Sequence, residues 1–248
     1  MSRDERSSEA DVTDASVPDV LATGELAILG LLPNASNDTF LTRATRGDEA
    51  ILAVYKPRRG EAPLWDFPDG TLCAREVAAF EVARSLGWPN VPPTVLRDGP
   101  AGPGSVQLFV DFDPSQHYFT LEGTGRDDDF RRIALFDALV NNADRKGGHC
   151  LLGPDDRIWV IDHGVCFSSE PKLRTVIWTY VGEPIPDPLL ADLRHIGPEL
   201  AAGPLRRALE ALLSSTEIDA LDDRLRDLID GATFPAPGPE RPYPWPPV

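Results

Sequence analysis

Residues 134–167 read ALFDALVNNADRKGGHCLLGPDDRIWVIDHGVCF, and the rest of the chain is organised around them. The stretch continues a helical period in which Phe130, Ile133, Phe136, Leu139 and Val140 recur on one side. A polar loop follows, from Asn141 to His149. Two short apolar runs, 150–152 and 158–161, then flank Gly153-Pro154-Asp155-Asp156, a pattern that predicts a hairpin closed by turn residues. The second run ends on Asp162, with His163 and Gly164 behind it. A hairpin brings its two ends together, so Asp144, His149 and Asp162 are expected around one point. Phosphoryl transfer uses such a set. One carboxylate orients the attacking hydroxyl or takes its proton, and another holds the metal that bridges the nucleotide phosphates.

Asp137, Asn142, Asp144 and Arg145, followed by Ile161, Asp162 and Gly164, resemble the catalytic and metal-binding segments of the phosphatidylinositol 3/4-kinase-like superfamily. More narrowly, from about Gly24 onward the chain is similar to short kinase-like proteins of actinobacteria. The resemblance implies an α+β, two-lobed protein-kinase-like fold. In it a small N-terminal antiparallel sheet lobe with one helix precedes a mainly helical C-terminal lobe. It also implies ATP and Mg2+ or Mn2+ as cofactors, Asp144 and Arg145 as catalytic-loop residues, and Asp162 as a metal ligand. Two positions depart from the superfamily pattern. Lys146 stands where it has His, and His149 stands where it has the metal-binding Asn. Imidazole can take that second ligand position, but it is softer than an amide oxygen and favours Mn or Zn over Mg.

The composition narrows the partners. At 248 residues the chain can form one substantial core or two small lobes, and 42% hydrophobic residues is an ordinary globular value. A net charge of −16 argues against nucleic acid and anionic membrane surfaces as partners. Three cysteines without metal spacing, no apolar run of membrane-spanning length and no apolar leader point to the cytoplasm. Of 24 basic residues only Lys56, Lys146 and Lys172 are lysines, each near a segment with functional features.

In chain order, residues 1–20 read as a disordered acidic tail, 21–112 as the nucleotide-binding lobe, 113–233 as the catalytic lobe and 234–248 as a proline-rich tail. Residues 26–32 and 39–44 read as strands flanking a loop in which Ser36 would face phosphates; equally, they are a plain hairpin. Residues 50–57 alternate so that Leu52, Val54 and Lys56 share a face. A lysine there needs a partner, or it snorkels to water. Residues 72–86 form an amphipathic helix in which Glu76 or Glu81 could be that partner, Glu76 being preferred for its match to the family. Strands at 91–95 and 106–111 complete five. Asp137 is expected to anchor the loop through Arg145 or backbone. Lys172 and Arg174, after the second acid, suit either an acceptor's acidic groups or internal ion pairs. Helices are expected at 127–142, 188–196, 204–213 and 216–230. The tail, with seven prolines plus Tyr243 and Trp245, reads as a polyproline strap packed on the helical lobe or as a ligand for a proline-binding module.

Together these features predict an ATP-dependent phosphotransferase acting on a hydroxyl of a protein Ser/Thr or a small polar molecule. Lys56, Glu76 and Ser36 would serve the nucleotide. The alternatives are a pseudokinase or AMP transferase on the same fold, and a metal-dependent hydrolase using Asp144, His149, Asp162 and His163.

Overall fold

Alternating burial along short strands dominates the first part of the chain, and core-facing helices dominate the rest. The computed structural model describes residues 16–33, 37–239 and 241–248. The described residues divide into two compact units: those up to Val77 with Pro92–Val110, and Ala78–Val91 with Asp111–Val248. The fold is α+β, an antiparallel sheet unit followed by a mainly helical one.

In the first unit β1 (Glu25–Leu31), β2 (Phe40–Arg46), β3 (Glu49–Pro57), β4 (Thr94–Gly99) and β5 (Gly102–Leu108) form one antiparallel sheet, ordered β1-β2-β3-β5-β4. Ile51, Ala53 and Tyr55 of β3 are buried, and Leu52, Val54 and Lys56 alternate with them on the opposite face. The buried set packs with Val106, Leu108 and the apolar side of helix α1 (Val17–Thr23). That helix corrects an expectation. Residues 17–20 were assigned to an unstructured tail, but Val17, Val20 and Leu21 recur at helical spacing and are buried. Residues 1–15 lie outside the described residues. Strand β4 begins at Thr94 rather than at 91, because Pro92 and Pro93 have no N–H to give a ladder. Gly104 must be glycine, since a Cβ there would lie 2.4 Å from the carbonyl oxygen of Lys56. At the sheet edge β1 carries a bulge: Ile28 pairs with Thr42 and Gly30 with Leu41, leaving Leu29 as an extra residue. Helix α2 (Leu72–Leu86) starts where the Glu61 carboxylate accepts from the backbone N–H groups of Leu72 (3.2 Å) and Cys73 (2.8 Å).

The second unit contains α3 (Tyr118–Leu121), α4 (Asp127–Val140), the hairpin β6 (Cys150–Leu152) and β7 (Ile158–Val160), then α5 (Asp187–Ala202), α6 (Pro204–Glu210) and α7 (Ser215–Gly231). Its core joins Phe130, Leu135, Phe136 and Leu139 of α4 to Leu193, Ile196 and Leu200 of α5 and to Ile218, Leu221 and Leu225 of α7. Helix α5 runs past Gly197-Pro198, where the sequence predicts a stop. Ile196 and Leu200, buried on either side of the proline, hold the helix against the core at the cost of one backbone hydrogen bond. Ser214 caps α7, with Glu217 completing the capping box, so the helix starts one residue before the expected 216. Among the described residues no helix is long and apolar enough to cross a membrane. Cys73, Cys150 and Cys166 are free thiols, all buried.

Candidate functional site

The loop that carries the acids is hung from the end of α4. Asn141 ends the helix in a left-handed conformation, φ 54°, which a short amide side chain tolerates. Its Nδ2 donates to the carbonyls of Ser168 (2.9 Å) and Glu170 (2.7 Å), and its Oδ1 accepts from the Lys172 N–H (2.8 Å). Asn142 donates to Asp137 Oδ1 (2.9 Å) and accepts the backbone N–H of Asp144 (2.9 Å), which fixes where Asp144 starts. The two asparagines therefore tie the loop to the segment after Asp162 and to the helix beneath.

Asp137 anchors this loop through Arg145. Both side chains are 0% exposed, and Arg145 Nε and Nη2 donate to the Asp137 carboxylate oxygens at 3.0 Å. Arg145 Nη1 also donates to the Ile161 carbonyl at 2.8 Å, and Nη2 lies 2.6 Å from His163 Nε2. Burial works against the Arg145 charge, and the Asp137 carboxylate more than restores it, so its pKa stands above the ordinary value. Arg145 is expected beside Asp144 as catalytic; having no exposed surface, it acts only through the loop it holds. Backbone bonds lace the same loop on both sides: Ala143 N to Val165 O (3.1 Å), Arg145 N to Arg174 O (3.0 Å) and Arg174 N to Asn142 O (2.9 Å).

The hairpin delivers the remaining groups. Ile161 N donates to His149 O (3.1 Å), closing its open end and leaving His149 Nε2 3.3 Å from Asp162 Oδ2. Asp162 is left-handed as well, φ 64°, and its side chain is 48% exposed. Asp144 pairs instead with Lys146, Oδ2 to Nζ at 3.2 Å. Burial pushes the Asp144 carboxyl above the usual carboxylate value, and Lys146 pulls the other way. The expected trio thus meets as two pairs, with the Asp162 carboxylate still close enough to Asp144 to raise its pKa. Among the described residues no group of three or more His, Cys, Asp or Glu side chains is set to hold a metal ion. His163 faces Arg145 and meets the Phe136 ring edge-on at 5.6 Å, so the four-ligand hydrolase set is not assembled. What His149 and Asp162 offer is a two-donor site. That suits a divalent ion whose other ligands are phosphate oxygens and water.

In the sheet unit, Lys56 Nζ and Glu76 Oε1 form an ion pair, with the Glu76 side chain only 3% exposed. Glu81 pairs with Arg84 of its own helix. Ser36 lies outside the described residues. Asn141 and Lys146 shape the loop beyond the roles expected of them from the sequence. An Asn just past a helical period is a C-cap signal that could have found the first. The scarcity of lysine in the chain pointed to the second.

No family model matches the chain. It is 43% identical to Protein Rv2133c of Mycobacterium tuberculosis, over 92% of this chain and 94% of that protein. Among solved structures it is similar to the Helicobacter pylori proinflammatory kinase CtkA, with a TM-score of 0.53 and 13% identity over 86% of this chain and 94% of that one. It is likewise similar to hydra Fam20, solved with sugar, with a TM-score of 0.58 and 15% identity over 91% and 90%. At these identities the likeness is one of fold, and that fold is kinase-like.

Proposed function

The chain belongs to the family of the Mycobacterium tuberculosis protein Rv2133c and has a kinase-like fold, and from that premise we propose that it is an ATP-dependent phosphotransferase. The observation that carries the reading is the His149–Asp162 pair at the mouth of the hairpin, with Asp144 held in the loop before it. Lys56, oriented by Glu76, takes up ATP phosphate oxygens through charge-assisted hydrogen bonds. A Mg2+ or Mn2+ ion held by Asp162 and His149 would neutralise charge on phosphate oxygens. Asp144 receives the acceptor hydroxyl. The hydroxyl oxygen bonds to the γ-phosphorus, the bond from that phosphorus to the ADP oxygen breaks, and the proton passes to Asp144. Lys146 favours the ionised form of Asp144 before transfer and balances charge on the phosphoryl group during it. Arg145, Asp137 and Asn142 are positioning residues, and Ser36 is kept as a backbone and hydroxyl donor to phosphate. The finer kinship, with the phosphatidylinositol 3/4-kinase-like superfamily, rests on the Asp144-Arg145 and Ile161-Asp162-x-Gly164 motifs. The acceptor is a protein Ser/Thr or a small polar molecule.

Thermal unfolding with ATP and metal tests the reading. Nucleotide at about 100 times its dissociation constant adds about 2.7 kcal/mol of stability. The wild type should gain it only with ATP and Mg2+ or Mn2+ together, with Mn2+ the better ion because of His149. Lys56→Ala and Asp162→Ala should lose it. Stabilisation by metal alone, with no further effect of ATP, would overturn the nucleotide reading.

A further inference from the structure

The proline-rich segment is seated on the catalytic-unit loops, and the way it is held says what else could sit there. It leaves the helical unit by a two-way ladder, Phe234 N to Glu183 O and Gly182 N to Phe234 O, each 3.0 Å. Farther on it crosses two loops of the candidate site. Pro242 O accepts from Thr175 N (3.0 Å) and from Trp178 Nε1 (3.2 Å), and Pro247 O accepts from Gly147 N (2.8 Å). In all three bonds the body donates and the segment accepts. Four of the six residues from 242 to 247 are proline and carry no N–H, so an accepting role is the one such a segment plays best.

An indole N–H given to a proline carbonyl, with two backbone N–H groups beside it, is a way in which proteins hold proline-rich peptides. The side chains agree with a docked ligand rather than a structural belt. Pro244 is buried, while Tyr243 and Trp245 stand 49% and 74% exposed, and the Arg241 guanidinium stacks on the Trp245 ring at 5.4 Å. A segment serving only to cover the core would have turned its largest apolar rings inward. On the body's side Gly147 leaves no side chain in the track; a Cβ there would lie 2.7 Å from the Phe119 ring and 3.5 Å from Pro247 O.

We propose that Gly147, Thr175 and Trp178 line a docking track for a proline-rich peptide of a protein partner, and that residues 242–247 of the chain's own strap fill it intramolecularly. Gly147 follows Asp144 by three residues, so the strap lies on the loop that receives the acceptor. This last link rests on the phosphotransferase reading, under which a protein acceptor must displace the strap and the strap is a self-block.

The test uses the full chain with Pro244→Asp, which puts a charge at the strap's buried proline. The probe is a labelled synthetic peptide of sequence RPYPWPPV, followed by fluorescence anisotropy. A tethered strap competes at an effective concentration of about millimolar. The peptide should therefore bind Pro244→Asp at least about tenfold more tightly than the wild type, and adding Trp178→Phe should weaken that binding several-fold. A Pro244→Asp protein with a wild-type circular dichroism spectrum that does not bind the peptide overturns the proposal, as does binding indifferent to Trp178→Phe. Should Pro244→Asp fail to fold, hydrogen exchange on the wild type decides. The Gly147 and Thr175 amides should exchange through strap opening, faster than the α4 core amides; exchange as slow as the core overturns a displaceable strap. None of these readouts involves nucleotide. If peptide binds but the ATP stability shift is absent, the phosphotransferase reading fails alone; if the shift is present and peptide does not bind, the track fails alone.

Discussion

Asp144 and Arg145 are neighbours with opposite environments, and each leads to its own measurement. Arg145 is sealed in with Asp137, so Arg145→Met leaves a buried carboxylate with only Asn142 to answer it. Removing one partner of such a pair costs about 3–5 kcal/mol, and a fall of that size in the urea unfolding free energy is expected. A loss under about 1 kcal/mol would mean that the pair does not hold the loop. For Asp144, burial raises the folded-state pKa. A carboxyl with a raised folded pKa binds its proton more tightly folded than unfolded, so its contribution to stability falls as pH rises through that interval. Under the proposed function activity runs the other way: a base must be ionised, so turnover should drop as pH falls through the raised value. Lys146 pulls that value down, so Lys146→Ala should move the acid limb of kcat to higher pH. An unmoved limb would take Asp144 out of the base role.

At the level of elements, α7 does more than fill the core. Arg224 reaches from it to the last turn of α4, with Nε donating to Leu139 O at 2.8 Å and Nη1 to Ser168 O at 3.2 Å; burial lowers its pKa to about 10. A cation at that helix end stabilises exposed carbonyls. Arg224→Ala should cost about 1.5–3 kcal/mol in thermal unfolding, the worth of hydrogen bonds from a charged donor. Nothing in the sequence singles out that role, because Arg224, like Arg226 two residues on, looks like part of a solvated face. What could be read was what repeats. The 72–86 helix was found at its true bounds, and the hairpin and most strands came from period and turn residues. What could not be read was decided between distant elements: α1 against the sheet, α5 continuing through Pro198, and His163 turned toward Arg145 instead of toward Asp162. The acids were legible because hairpin ends must meet; which of them would pair was not.

On the scale of the whole molecule, one feature of the sheet bears on how the protein behaves among copies of itself. Strand β1 is an edge, and it exposes Ile28, Leu29 and Leu31. An edge of that composition is a template for strand addition from another chain. The extra Leu29 breaks its register at the middle of the strand, so an incoming strand matched to one half is out of step with the other. The bulge is therefore a solubility device. A chain lacking Leu29 would keep its five strands, gain a straight apolar border, and begin to self-associate as its concentration rises.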